Sequence, residues 1–173
     1  MSMERPNVFE FKGRKLTIVG ADLQAGAQAP EFKGYKTDWT LTDALAGTQG
    51  KVRIIGSLPS ISTSVCDRET RYFNDAASAL SDDIVILMVS TDLPYTQKNW
   101  CAAAGIDNVE MISDHLDGNF GAKYGVMLKE AGILRRAIFV VNRDGTIVYA
   151  DYMPSFGDEP KYDEVLEAAR QAL

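Results

Sequence analysis

The stretch Lys51-Val52-Arg53-Ile54-Ile55-Gly56-Ser57-Leu58-Pro59-Ser60-Ile61-Ser62-Thr63-Ser64-Val65-Cys66 decides the fold, because it holds a complete passage from strand to helix. Its first eight residues are mainly apolar and β-branched and then meet Pro59, which predicts a central strand ending at a sharp loop. The loop runs from Pro59 to Val65. From Cys66 onward the pattern changes. Phe73, Ala76, Ala77 and Leu80 recur at helical spacing while Asp67, Arg68, Arg71 and Asp75 take other angles, so a helix starts near Cys66.

Working outward, Ile84 to Val89 is an uninterrupted apolar run suited to a buried strand. Pro94 opens a helix through Trp100 to about Ala103, which Gly105 stops. Val109-Glu110-Met111-Ile112 reads as a short strand and Phe120 to Tyr124 as a helical turn closed by Gly125. Ala137 to Val141 and Thr146 to Tyr149 bracket Asn142-Arg143-Asp144-Gly145, where Asp-Gly signals a hairpin. Pro160 to Leu173 forms a last helix with Tyr162, Val165, Leu166 and Ala169 on its apolar stripe. Before the deciding stretch, alternation across residues 8–19 predicts an N-terminal β-hairpin turning at Lys12 to Lys15. Gly20 to Gly34 is a connector, and Trp39 to Thr42 reads as a short strand. This order predicts an α/β protein: a thioredoxin-like fold with a mixed central sheet flanked by helices, as a single domain over residues 1–173.

The 173 residues carry a net charge of −6, which opposes attraction to phosphate backbones and makes nucleic acid an unexpected partner. Met1 to Asn7 contain no apolar run, so no secretory signal is read there, and no later run approaches the roughly twenty residues of a bilayer span. No membrane partner and a cytoplasmic location are therefore expected. Two cysteines cannot make a disulfide scaffold, and in a reducing compartment any pairing between them is transient. With one histidine, His115, neither a histidine-rich metal site nor a histidine relay is readily built; His115 reads as structural or solvent-facing. The isolated glycines at 118, 121 and 125 do not form a nucleotide cradle, and no bound cofactor is expected.

Cys66 sits where backbone N–H groups and the positive end of a helix can stabilise a thiolate, the reactive form of the side chain. A packed structural cysteine is the plainer alternative. Three neighbours favour chemistry. Pro59 fixes the loop; Thr63 can accept from a backbone N–H or donate toward sulfur or a bound oxygen, or simply cap the helix. Arg136 opens the late apolar strand, from which a guanidinium can reach the same edge of the sheet. Arg135 stands next to it, and because adjacent strand residues face opposite ways only one of the two should point toward Cys66.

With Pro59-Ser60-Ile61-Ser62-Thr63-Ser64-Val65-Cys66 followed by Arg71-Tyr72-Phe73-Asn74, the chain resembles the thiol peroxidases, a subgroup of atypical two-cysteine peroxiredoxins. Ser90-Thr91-Asp92-Leu93-Pro94, Gln97 before Cys101, Arg136 and the N-terminal hairpin extend the resemblance over nearly the whole chain. The resemblance implies that Pro59, Thr63, Cys66 and Arg136 form the peroxide-reducing site. It also implies that Cys101 is the resolving cysteine, forming an intramolecular disulfide with Cys66 that thioredoxin, as external reductant, reopens. It further implies hydrogen peroxide and organic or lipid hydroperoxides as substrates, and a homodimer, with Tyr95 and Trp100 as candidate contact residues. Asp92 and Gln97 are expected to order the Cys101 region. Two positions depart from the subgroup: Ser62 where aspartate is common, and Arg135 where a small residue is common, the latter read as competing for substrate charge or facing water. From residue type alone Cys101 is equally a packed helix cysteine, and its distance along the chain from Cys66 is unlike a Cys-x-x-Cys reductase. A protein disulfide oxidoreductase and a noncatalytic redox-controlled binding protein remain the rival readings.

Overall fold

The computed structural model describes residues 2–173. Strands β1 (Glu4–Phe11) and β2 (Arg14–Val19) form the N-terminal hairpin. Both strands run longer than the alternation indicates, because the turn is only Lys12 and Gly13. Their φ values of 50° and 74° match the two-residue turn whose twist suits paired strands. Strands β3 (Lys33–Tyr35) and β4 (Leu41–Asp43) pair antiparallel. The strand expected at residues 39–42 is thereby shifted: Trp39 takes φ 67° in the connecting turn, where the Asp38 carboxylate accepts from the Thr40 N–H at 2.9 Å.

The deciding stretch folds into β5 (Val52–Ser57) and α1 (Ser64–Ala77), followed by β6 (Ile84–Ser90), α2 (Pro94–Ala104) and β7 (Glu110–Ser113). α3 (Asn119–Lys123), β8 (Met127–Leu128), β9 (Ile133–Leu134), β10 (Ala137–Val141), β11 (Ile147–Tyr152) and α4 (Tyr162–Gln171) complete the chain. The central sheet has the order β11-β10-β5-β6-β7-β3-β4. It is parallel through β5, β6 and β7 and antiparallel at β10, β11, β3 and β4. This is the mixed thioredoxin-like sheet. A second sheet, β1-β2-β8-β9, joins the hairpin to the body; β8 and β9 are two-residue pairings with no periodicity of their own to read.

The central strands are buried along nearly their whole length and mainly apolar because both faces are covered. Ile54, Ile86, Met88, Ile138 and Val140 turn to one face, beneath Phe73 of α1 and Val165, Leu166 and Ala169 of α4. Ile55, Leu87, Val89, Phe139 and Val141 turn to the other, under Phe32, Phe120 and Tyr124. Each such side chain contributes about 1.5–3 kcal/mol by leaving water, so the sheet is a rigid base. β5 and β6 end at the same edge, and the loops leaving that edge carry the site.

Candidate active site

Pro59 is buried at the exit of β5, and the loop beyond it is fastened by Asp92, from the loop leaving β6. The Asp92 carboxylate accepts from Ser60 Oγ at 2.8 Å, the Ile61 N–H at 2.8 Å and Ser90 Oγ at 2.7 Å. Ser60 has one hydroxyl hydrogen and gives it to Asp92, so Ser62 Oγ must donate in its 2.8 Å contact with Ser60 Oγ. An ionised aspartate at position 62 has no hydrogen to donate there. The loop then enters α1 through Thr63, whose extended backbone and hydroxyl make the N-cap. Its Oγ1 accepts from the Cys66 N–H at 3.3 Å and donates to the Ser60 carbonyl at 3.1 Å. In this arrangement the Thr63 hydrogen points into the loop and not at sulfur.

Cys66 follows two residues after the start of α1 and has no exposed surface. The Arg136 side chain, 1% exposed, reaches it from the start of β10: Nη2 donates to Cys66 Sγ at 3.3 Å and to the Phe156 carbonyl at 3.2 Å. Its Nη1 donates to Glu69 Oε2 at 2.6 Å. Glu69 lies three residues beyond Cys66 on the same helix face and is fully buried. Burial drives its carboxyl up to about 7, an effect that Arg136 opposes without cancelling. Burial alone would lower the Arg136 guanidinium, but Glu69 and Cys66 outweigh it and raise the group. Among the described residues Arg136 Nε and Glu69 Oε1 have no protein partner. The site therefore holds a permanent cation against sulfur and keeps one buried N–H donor free.

Cys101 occupies another environment. It lies in the last turns of α2, about 10 Å along the axis from the helix start. It is half-buried and borders a cavity of about 510 Å³ with Ile84, Ile86, Ile106 and Met111. Burial raises its thiol. Gln97 anchors the first half of α2, donating to Ser90 Oγ at 3.0 Å and the Ile112 carbonyl at 3.1 Å. The far half is clasped from α1: Arg71 stacks over Trp100 at 5.5 Å and donates to the Ala104 carbonyl at 3.4 Å, and Asn74 Oδ1 accepts from the N–H groups of Asp107 and Asn108. Both cysteines are free thiols.

The Redoxin family matches residues 24–166. Over 162 residues, 94% of this chain and 97% of the relative, the chain is 46% identical to a thiol peroxidase of Listeria innocua. It is 44% identical to one of Bacillus subtilis over 92% of this chain and 95% of that protein. This chain belongs to the thiol peroxidase family. Among solved structures, a peroxiredoxin-like protein from Aquifex aeolicus superposes with a TM-score of 0.87 at 33% identity, covering 96% of this chain and 98% of that one.

Of the residues that the thiol peroxidase pattern singles out, the structure brings Thr63, Cys66 and Arg136 together at the loop opened by Pro59, and leaves Cys101 on a separate helix. Asp92 fastens the Cys66 loop and also meets, through Ser90 Oγ, Gln97, which holds the helix of Cys101. One expectation needs correction. Arg135 neither faces water nor approaches sulfur. It is buried on the opposite side of the chain from Arg136, paired with Asp22, donating to the Gly125 carbonyl at 3.1 Å and stacked 4.3 Å over Tyr152. His115 is half-buried against Tyr35 and Trp39 with Nδ1 2.9 Å from Ser113 Oγ, a packing role; its neighbour Asp114 caps α3 through the N–H groups of Phe120 and Gly121. Glu69 was legible only as one more helical carboxylate. Its spacing of three from Cys66 was the available signal.

Among the described residues no group of three or more His, Cys, Asp or Glu side chains could hold a metal ion, and no helix is long and apolar enough to cross a membrane.

Proposed function

We propose that the chain is a cytoplasmic, thioredoxin-dependent peroxidase in which Cys66 is oxidised and Cys101 resolves it. The observation that carries this reading is the buried Arg136 guanidinium, fixed by Glu69 and donating to Cys66 Sγ. A cation held there stabilises a thiolate before reaction and the oxygen that departs during it, without reorganising. The sulfur attacks one peroxide oxygen; an S–O bond forms as the O–O bond breaks, and hydroxide or alkoxide leaves and takes a proton to become water or alcohol. The free Arg136 Nε–H is a donor for the leaving oxygen, and the Thr63 hydroxyl becomes another by rotating away from Ser60. Cys66 is left as a sulfenic acid, two electrons oxidised.

The Cys101 thiol then condenses with it, releasing water and forming an intramolecular disulfide. That bond needs Cα atoms within roughly 7 Å, and in this reading the last turns of α2 unwind from the Arg71 and Asn74 clasp to bring Cys101 to Cys66. A thioredoxin dithiol reduces the disulfide by exchange and is itself oxidised. Hydrogen peroxide and organic or lipid hydroperoxides are the substrate class. A homodimer is supported by an exposed apolar cluster in which Trp39 packs on Tyr95, the latter 63% exposed, with Leu93 and Leu116 also uncovered. Trp100, the other candidate contact, is half-buried with Arg71 over its ring.

Stopped-flow oxidation of the parent, Cys66→Ser and Cys101→Ser proteins with hydrogen peroxide and an organic hydroperoxide tests the scheme. Peroxide consumption at the parent rate by Cys66→Ser would refute it in favour of either rival. Peptide maps of the oxidised parent should show a Cys66–Cys101 bond within one chain; only intersubunit bonds would refute that step. Equilibrium sedimentation showing a monomer at every working concentration would remove the dimer.

A further inference from the structure

The Arg136 guanidinium touches one group that belongs neither to the reacting sulfur nor to its counter-ion. Nη2 carries two hydrogens in the guanidinium plane. One goes to Cys66 Sγ at 3.3 Å and the other to the carbonyl of Phe156 at 3.2 Å. In a planar group the acceptor of one hydrogen sets the direction of the other. The Phe156 carbonyl therefore aims the remaining Nη2–H at sulfur, while Glu69 fixes Nη1.

Two features determine where that carbonyl points. Phe156 lies in a turn closed by the Asp158 carboxylate, which accepts from the N–H and hydroxyl of Ser155 at 3.1 and 2.9 Å. Its ring is seated on the N-terminal hairpin, 5.0 Å from Phe9 and 4.7 Å from Phe11, the second contact edge-to-face. Phe9 is itself buried with Leu16, Ile18 and Leu128 in a small core between the hairpin and β8. The start of the loop is tied to the same arginine, since the Met153 N–H donates to the Arg136 backbone carbonyl at 3.0 Å. The contacts run without a gap from hairpin to ring, from ring to carbonyl, and from carbonyl to the guanidinium on Cys66.

We infer that Phe156, seated on Phe9 and Phe11 of the hairpin, is a positioning residue for the catalytic guanidinium of Arg136. This rests on the reading of Cys66 and Arg136 as the reacting pair. It gives the hairpin a part in the chemistry although no hairpin side chain touches sulfur among the contacts of Arg136 and Cys66.

The test is Phe156→Ala in the full chain, which leaves the carbonyl in place but unseats its loop. Oxidation of reduced protein by hydrogen peroxide and by cumene hydroperoxide should slow by about tenfold with both, as expected when a reacting group loses its alignment. Phe156→Leu, which keeps an apolar side chain on the hairpin, should restore the rates to within about threefold of the parent. In an Arg136→Lys background, which keeps the charge but lacks the fork, Phe156→Ala should change the rate less than about twofold.

Slowing confined to cumene hydroperoxide would overturn the inference, making Phe156 a wall for the substrate. An undiminished rate in folded Phe156→Ala, or equal slowing in the Arg136→Lys background, would also overturn it. If Phe156→Ala does not fold, Phe11→Ala replaces it, with the same equal slowing of both peroxides expected. Peroxide consumption by Cys66→Ser would instead fail the reading of the site itself, whereas loss of activity in Cys66→Ser with a parental rate in Phe156→Ala fails this inference alone.

Discussion

The surroundings of the two cysteines are built to opposite ends. Cys66 is fully buried, its loop fastened by two bonds to a carboxylate that Ser90 of β6 also holds, and its sulfur faced by an arginine with Glu69, Cys66 and Phe156 as acceptors. Cys101 is half-buried near a helix end, beside a cavity, and the elements around it are held by a partly exposed arginine over a tryptophan and by an asparagine gripping two loop N–H groups. A reaction that must strike one atom from one direction requires the first kind of surroundings. A thiol that must travel to another sulfur requires the second, because local opening draws on regions held by few buried contacts.

The sharpest break in the comparison is Cys101→Ser. First oxidation of Cys66 should proceed at the parental rate, since no contact of Cys101 enters the site, while turnover with thioredoxin is lost altogether. Single-turnover and steady-state assays on the same preparation separate the two. Next in size is Arg136→Gln. Losing the donor at sulfur should slow the first oxidation by about 10²–10³-fold, and leaving Glu69 buried without its cation should lower stability by about 3 kcal/mol. A folded variant that oxidises at the parental rate removes Arg136 from the mechanism.

Glu69→Gln sharpens the comparison through pH. Below pH 4.5 the Glu69 carboxyl is neutral in folded and unfolded chains alike. Above that, the unfolded chain ionises first while the folded carboxyl holds its proton to about 7. The folded state thus binds the extra proton between these values, and stability falls as pH rises through that window. The raised carboxyl corresponds to about 3 kcal/mol over the full window. Urea unfolding at pH 5 and pH 8 should show the parent losing stability relative to Glu69→Gln, and parallel curves would mean that Glu69 does not titrate there.

What the sequence disclosed follows the same division. The β5 to α1 passage could be read because a β-branched run, a proline and a helical apolar stripe are local signals, and Cys66 falls at their junction. The choice between Arg135 and Arg136 could be narrowed to one by strand alternation, but the burial of Arg135 could not be foreseen: its partners Asp22 and Tyr152 are brought in by the fold. Only half of what Asp92 does is local in the chain, for a related reason: through Ser90 Oγ it meets Gln97 of the Cys101 helix. It precedes the Cys101 helix in the chain, yet β6 ends beside β5, so its carboxylate meets the Cys66 loop. Phe156 had no signal at all, since it acts through a backbone carbonyl.

The smallest effect tests whether the Cys101 region is held only lightly. Arg71 makes an exposed pair with Asp67 one helical turn away, lies over Trp100 and donates to the Ala104 carbonyl. The pair with Asp67 lies within α1 and persists when α2 opens, so only the contacts that cross to α2 count: an exposed cation–π contact contributes about 0.5–1 kcal/mol, and with the Ala104 bond Arg71→Ala should ease opening of the α2 end by about 1 kcal/mol. If that opening limits disulfide formation, the step from sulfenic acid to disulfide should quicken by about fivefold while the first oxidation is unchanged. Sequential mixing with one equivalent of peroxide resolves the two phases. An unaltered second phase would show that the clasp is not what Cys101 must escape, and would move the restraint to Gln97, whose two buried bonds hold the same helix nearer its start.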